Sequence, residues 1–452
     1  MTGLRGLPAS RCQGKDARCV PLRNAAQTSG IMRRRVLRGS AGVAVFAFFL
    51  GCLWVAGSPP GSKAVEPRSA SLPAGTLVYL RLETAVSSKT SHLHDPVVAR
   101  VVREVPCPAG IAIPLGGVVK GHIERLIPSP SPAERARVLL WFTDFEISGQ
   151  PSLKIHAHLS EVENARESVL PDGSIQGVLA SELPLTYLEN AVAKLGKSNA
   201  GLGEKAQKTQ AKILGKSDTS IDYPKGTDLA IVLDQPLEVG GVSSSAVPEQ
   251  LSASVATPVD QLLAGAPQRA SGKDGKPGDP LNLVVIGNAQ EIRRVFQEAE
   301  WSEAVQATGK TVWETVRAVA GDRGYGAAPV SQLYLFGRAE DLAFEKMLNT
   351  FARRHHLRLW RSPVTTQEGR EIWLGAATHD SGLDVRPGVV SHAIDPDLDA
   401  ERAKVGADLV VTGLVAAERL VTRPDPLQEG LTATGAPWKT DGRLLVLELK
   451  AQ

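Results

Sequence analysis

Two short turns of one pattern, Pro73-Ala74-Gly75-Thr76 and Pro224-Lys225-Gly226-Thr227, constrain the fold of this chain more than any other feature. Each opens an apolar run, the first ending in Leu80-Arg81-Leu82-Glu83 and the second in Ile231-Val232-Leu233-Asp234. Proline fixes φ and glycine accepts φ > 0, so a Pro-x-Gly-Thr turn feeding a strand pins that strand's register. Two readings stand open: turns recurring by chance in a β-rich chain, or two edges that pair. Thr76–Leu82 has the clearest strand pattern. Val97–Val102 and Gly117–Ile123 are valine-rich, and Val138–Phe142 is a short continuous apolar run that suits a buried strand. Glycine and proline punctuate these runs at short intervals, as in a barrel or sandwich.

The first 57 residues address a different question, where the chain works. Arg33-Arg34-Arg35-Val36-Leu37-Arg38 precedes an uncharged apolar stretch through Phe46, Phe48, Phe49, Leu50 and Trp54, then Ala56-Gly57-Ser58. This is the order of an export signal. A cleaved signal peptide with a break before Ser58 is the leading reading. An uncleaved anchor needs about 20 apolar residues, and the 17 uncharged residues from Ala41 to Gly57 fall slightly short. A lipoprotein would be lipidated at Cys52, after Leu50-Gly51, but Leu53-Trp54-Val55 continues apolar where such a mature end turns polar. The twin arginines also suit a folded-export signal, although no cofactor motif calls for one and no cofactor is expected. If Met32 is the start, Cys12 and Cys19 are not part of the protein. After cleavage only Cys107 remains, so the mature chain has no internal disulfide.

Charge changes sign along the chain. Residues 1–57 hold nine Lys/Arg and one Asp, leaving 42 basic against 47 acidic residues in the remainder. That balance gives no support to a nucleic-acid-binding surface. Residues 58–72 are Pro/Ser-rich and read as a tether, and 73–239 as a β-rich unit. Leu185–Gly215 is a basic, amphipathic insertion near 185–216, either lying on an anionic membrane or forming a solvated helical excursion between strands. Residues 240–278 are Ser/Ala/Gly/Pro-rich and read as a flexible linker.

From 279 to 452 strands and helices alternate. Leu281–Ile286 reads as a buried strand, and Asn288 with Glu291 has capping-box spacing before Ile292, Val295 and Phe296. Helices are expected over Lys310–Ala320 and Glu340–Arg353, a strand over Gln332–Phe336, and a hairpin of Leu357–Trp360 with Glu371–Leu374. Asp408–Val421 and Arg443–Leu449 supply the last strands. The expected fold is multidomain: a β-rich barrel or sandwich followed by an α+β domain, behind an N-terminal export signal or anchor helix.

Pro73-x-Gly75-Thr76, Val86-Ser87-Ser88, Ala109–Gly117 and Val119-Lys120-Gly121 together resemble the β-barrel domain of TrbI-like conjugation and type IV secretion proteins. The resemblance covers about 73–240 and implies a soluble barrel facing the periplasm. It does not imply DNA transfer, and the long proline-rich stalk of that family is missing. A second, more specific resemblance covers about 279–449. Asp279-Pro280-x-Asn282-Leu283, Trp301, Ala328–Arg338, Arg354-x-His356-Leu357-Arg358-x-Trp360, Trp373–Asp380, His392–Arg402 and Thr440-Asp441-Gly442 are similar to the C-terminal domain of the LssY family. In that family the domain is often fused to membrane segments resembling lipid phosphatases. The resemblance supplies no activity for the domain itself.

His356, His379 and His392, with Asp380, Asp395, Asp397, Asp399 and Glu401, form the densest polar cluster. Such groups could converge on a divalent metal or supply an acid/base pair. Asp395-Pro396-Asp397-Leu398-Asp399 echoes a calcium loop but lacks its central glycine and terminal glutamate. Alternatively Arg358 and Arg402 pair these carboxylates in a structural network, which is the favoured reading, and no metal is assigned. No Gly-x-Ser-x-Gly elbow, P-loop or zinc-protease histidine pair is present. The leading function is therefore an exported, non-enzymatic binding or scaffold module in the periplasm or anchored facing it. An envelope or membrane-associated protein partner is expected, with a homo-oligomer also open and nucleic acid not expected. The alternative is an envelope hydrolase, phosphatase-like or metal-dependent, using the His/Asp cluster. A reporter enzyme active only outside the cytoplasm, fused after Asp279, is expected to work; activity there of a cytoplasm-only reporter would remove the export reading.

Overall fold

The two Pro-x-Gly-Thr turns face each other. Strand β1 (Leu77–Leu82) and a partner at Asp228–Leu233 run antiparallel, with Arg81 opposite Asp228 and Leu77 opposite Val232. The Gly75 N–H donates to the Leu233 carbonyl and the Gly226 N–H to the Leu82 carbonyl. Both glycines have positive φ, 86° and 94°, and each threonine hydroxyl closes its turn on the proline carbonyl, at 2.7 and 2.8 Å. The repeat is therefore a local two-fold device that locks one strand pair from both ends.

That pair closes a barrel. This computed structural model describes residues 69–131, 133–183, 218–247, 250–304, 332–350, 352–386, 389–432 and 435–451, without the side chains of 383–386 and 389–392. The leader with Cys52, the basic insertion Leu185–Gly215 and the helix expected over Lys310–Ala320 lie outside them. With β2 (Pro96–Val101), β3 (Val118–Ile127), β4 (Arg137–Glu146), β5 (Leu153–Val162) and β6 (Asp228–Leu233), the order is β4-β3-β2-β1-β6-β5, and β5 returns to β4. The unit is a closed six-stranded barrel. Inward positions Val78, Leu80, Leu82, Val97, Ala99, Val101, Phe142 and Leu159 alternate with exposed ones and fill its interior. Cys107 packs half-buried against this core as a free thiol. Part of the expected tether is sheet: Ala70–Leu72 pairs with Leu237–Val239.

The second half is built on one mixed sheet. Its strands are β7 (Leu283–Ile286), β8 (Leu342–Met347), β9 (Arg354–Thr365), β10 (Glu371–Arg386), β11 (Val389–Ile394), β12 (Val415–Thr422) and β13 (Arg443–Leu449). The order is β8-β9-β10-β7-β13-β12, with β11 on β10 and only β7–β13 parallel among these pairings. Helices α2 (Ala289–Glu298) and α3 (Leu398–Val410) pack on one face with Leu357, Leu359 and Leu447. Helix α1 (Ala253–Gly265) packs on the other, with Trp360, Ile372 and Val446.

Three expectations need correction. Residues 240–278 do not form a featureless linker: they contain α1 and a hairpin of Arg269–Ser271 with Pro277–Pro280. Val255, Val259, Leu262 and Leu263 are buried, an i, i+4, i+7, i+8 stripe that the polar and small residues between them disguise. Each such burial is worth about 1.5–3 kcal/mol, enough to override composition. Pro258 removes the N–H that would reach the Ser254 carbonyl, and the Gln367 N–H takes its place at 3.1 Å. Second, the helix expected over Glu340–Arg353 is strand β8. Leu-Ala-Phe-Glu-Lys-Met has helical propensity, but its pairing with β9 buries Leu342 and Phe344, and that tertiary gain decides. Third, the start of the expected strand at Asp408–Val421 is the end of α3, and the strand begins at Val415. The capping box at Asn288 is present as expected, with Asn288 accepting from the Gln290 and Glu291 N–H groups.

Gly121 marks the tightest point of the barrel. It lies at a register shift between β3 and β4, and a Cβ there would sit 2.0 Å from the Trp141 carbonyl oxygen. Gly121→Ala is expected to lower stability by about 3 kcal/mol or more, as for strong overpacking against backbone. Urea unfolding of wild type and variant checks this; an unchanged midpoint would contradict it.

Candidate functional site

Strand β9 decides where the histidines go. Successive side chains of a strand point to opposite faces, so Arg354, His356 and Arg358 share one face and His355 takes the other. On the first face, His356 Nε2 lies 3.1 Å from Asp380 Oδ1. Arg354 donates to Asp380 Oδ2 at 2.9 Å and to Glu345 Oε2 at 3.1 Å. Arg358 lies 3.2 Å from His356 Nδ1 and donates at 3.2 Å to Asp279. Arg354, His356, Arg358 and Asp380 are all buried. Both nitrogens of His356 and both oxygens of Asp380 are thereby engaged.

On the opposite face, His355 stacks on His379 with ring centroids 4.4 Å apart. His379 Nε2 faces Asn164 Oδ1 of the barrel at 3.0 Å. His355 Nδ1 meets Glu401 of α3 at 2.6 Å, and its Nε2 faces Glu163 of the barrel at 3.3 Å. Burial alone would favour neutral His355, but the two carboxylates outweigh it and push its pKa up to about 10. Burial and then the positive His355 ring push His379 down. His356 and His379 therefore sit on opposite faces of one sheet and do not share a site. His392 is opposite Leu383 in the β10–β11 ladder, and its side chain lies outside the described residues.

The acidic run is spent on the start of α3. Asp397 caps the helix, accepting from the Asp399 and Ala400 N–H groups. Asp395 accepts from the Asp397 N–H. Asp399 takes Arg402 at 2.9 Å, the Thr440 hydroxyl and the Asp441 N–H. Arg402 also clamps Asp441 bidentately, at 2.8 and 3.0 Å, and with Arg443 holds that carboxyl well below the usual range despite the opposing effect of burial. The loop that resembles a calcium site is a helix cap. Arg358 lies against His356 and Asp279, and Arg402 against Asp399 and Asp441.

The larger network was not visible in the sequence. Arg81 and Asp228 of the barrel meet Lys346, Lys404 and Asp408 of the second half. Lys404 Nζ lies 2.9 Å from Asp228, 2.8 Å from Asp408 and 2.8 Å from Glu163. Lys346 reaches Asp228 at 2.6 Å and Asp408 at 3.2 Å, and Arg81 bonds both carboxylates at 2.6 and 3.1 Å. The Trp301 indole N–H donates to Asp408 at 2.9 Å. Burial opposes charge on every one of these groups. Lys404 and its neighbours nonetheless hold Glu163, Asp228 and Asp408 below the usual carboxylate range, while Lys404 itself is raised.

Beside this network lies a cleft of about 640 Å³ between the barrel and α3. Val102, Leu115, Val410 and Leu420 give it apolar walls, and Arg103, Arg402, Arg419 and Arg443 line it together with Glu104 and Glu418. The Arg103 guanidinium lies over the Tyr79 ring, 4.0 Å from its centroid. Among the described residues no carboxylate pairs with Arg103 or Arg419. The cleft thus offers apolar contact and mixed charge, including two arginines that no carboxylate pairs among the described residues.

The network should respond to pH from both sides. The folded chain holds the His355 proton to about pH 10, against 6.5 for an ordinary imidazole. Its contribution is full below about pH 6.5 and is lost as pH rises through 10. The depressed carboxylates contribute fully above about pH 4.5 and lose that contribution as pH falls through their lowered values. Urea midpoints should therefore form a plateau near pH 5–6.5, falling at either end. His355→Gln should flatten the decline between pH 7 and 9; an identical decline in the variant would contradict the assignment.

Comparison with known proteins bears mainly on the second half. A solved structure, ComB10 of the Com type IV secretion system of Helicobacter pylori, is similar at 11% identity. The match covers 37% of this chain and 88% of that one, with a TM-score of 0.22. No curated protein sequence matches. Residues 263–444 match the family model described as LssY C-terminus, a span running from the end of α1 to the start of β13.

Proposed function

We propose that the chain is an exported cell-envelope protein acting as a non-enzymatic binding or scaffold module, with its ligand site in the cleft between the barrel and α3. One observation carries this reading: among the described residues, the candidate carboxylates are held by neighbouring side chains and backbone. Asp380 is held by Arg354 and His356, and Asp399 by Arg402, Thr440 and Asp441. A general base must reach the proton it abstracts; Asp380 is buried, and half-buried Asp399 has both carboxylate oxygens bonded. By contrast Arg103 and Arg419 face open space beside apolar walls. That combination suits an anionic group carried on an apolar body, presented by an envelope component or a membrane-associated partner.

The test uses the full chain and a soluble probe, dodecyl phosphate below its micellar concentration. Saturable binding is expected, weakened about tenfold or more in Arg103→Ala/Arg419→Ala, since a hydrogen bond to a charged group is worth about 1.5–3 kcal/mol. Dodecanol should bind no better to wild type than to the variant. In parallel, phosphatase and esterase turnover should be absent with and without added divalent metal. Turnover abolished by His356→Ala or Asp399→Ala in a folded protein would replace this reading with the hydrolase.

A further inference from the structure

We propose a divalent transition-metal site on the outside of the barrel, formed by His94, His122 and Glu124, away from the cleft and the His/Asp cluster. The three come from two pieces of chain that the backbone bonds bring together: His94 from the loop before β2, and His122 and Glu124 from β3. His122 and Glu124 flank Ile123 in β3, so they project to the side opposite the buried Ile123. The His94 N–H donates to the Ile123 carbonyl at 2.9 Å, and the Ile123 N–H donates to Asp95 at 3.0 Å. These bonds fix the loop before β2 directly over that pair. His94 has φ 68°, the left-handed region in which histidine, like asparagine and aspartate, is enriched.

One ligand atom from each of the three residues lies within 4.8 Å of the others. His122 Nε2 and Glu124 Oε2 are 3.0 Å apart, and the two imidazole centroids are 5.7 Å apart. A tetrahedral zinc with bonds of about 2.0–2.1 Å needs donors about 3.3 Å apart. Small χ changes of exposed side chains supply the difference. The His94 ring has no hydrogen-bond partner among the described residues. Two imidazoles and one carboxylate select zinc, copper or nickel over calcium or magnesium. Three protein donors leave a fourth position for water or a ligand.

The experiment is titration of the purified full chain with Co²⁺, followed by displacement with Zn²⁺. One equivalent should give visible d–d bands without the near-ultraviolet charge-transfer band of a thiolate ligand. His94→Asn keeps the backbone conformation while removing the imidazole, and His122→Ala removes the second donor. Each should weaken binding of that equivalent about tenfold or more, with circular dichroism unchanged, whereas His92→Ala should leave it intact. Trp141 is the register partner of His122 and is 41% exposed, so bound Co²⁺ should quench its emission; Trp141→Phe should remove that quenching without weakening binding. No binding by the full chain, or binding unchanged in both His94→Asn and His122→Ala, would overturn the site.

Discussion

Four cations and four anions buried together hold the two halves of this protein in one piece. Arg81, Lys346, Lys404 and protonated His355 face Asp228, Asp408, Glu163 and Glu401, and the charges balance. Desolvating so many ions is costly, and the cost is recovered only when every partner is in place. The network is consequently poor glue in the ordinary sense and a strong constraint on geometry. A barrel shifted by a few ångströms would take Asp228 and Glu163 away from Lys346 and Lys404. The same demand explains the conformations around it: Asn164, at φ 56°, bonds His379 and the Lys346 carbonyl. Glu300, at φ 64°, sits against Gly226, where any Cβ would meet its carboxylate.

The barrel was legible because its signals are local. Turn chemistry at Pro73 and Pro224 and alternation in β1 depend on neighbours in sequence, and those places matched. The capping box at Asn288 belongs with them. What failed depended on distant packing. Strand β8 replaces the helix that propensity assigns, because the sheet needed a strand beside β9, and the start of the strand expected from Asp408 is instead the end of α3, which carries Glu401, Lys404 and Asp408. The i, i+4 spacing of Lys404 and Asp408, repeated by Val405 and Leu409 one position on, was the available signal for that helix. Helix α1 carried its own stripe at Val255, Val259, Leu262 and Leu263, hidden by a composition that suggests a linker.

The polar cluster shows a sharper limit. Proximity in sequence gathered His356, His379, Asp380, Asp395 and Asp399 into one group, yet strand parity separates His379 from His356 and Asp380, and the start of α3 takes Asp395 and Asp399. His355 and His356 differ by one position and end on opposite faces, one bonded to helix α3 and the barrel, the other to Asp380. A list of residue types carries no parity until the strand is placed. Arg402 bonds Asp399 through one nitrogen, and the carboxylate it clamps bidentately is Asp441, which lies outside the cluster.

The closing of the barrel has a mechanical consequence. Ala70 pairs with Val239, so the segment leading into the barrel and the one leading out of it are adjacent rungs at the same end of an antiparallel ribbon. A pull applied between residues 69 and 240 would load those rungs one after another, as a zipper is opened, and would never load the whole β1–β6 ladder in shear. Three short rungs resist such peeling weakly. Resistance to traction along the chain must then come from elsewhere: from the contacts of Asn164, Ala165 and Glu167 with Lys346, Asn349 and Arg353, and from the charges beside them. Those bonds tie the barrel's far edge to the second half in a direction the ribbon cannot bear.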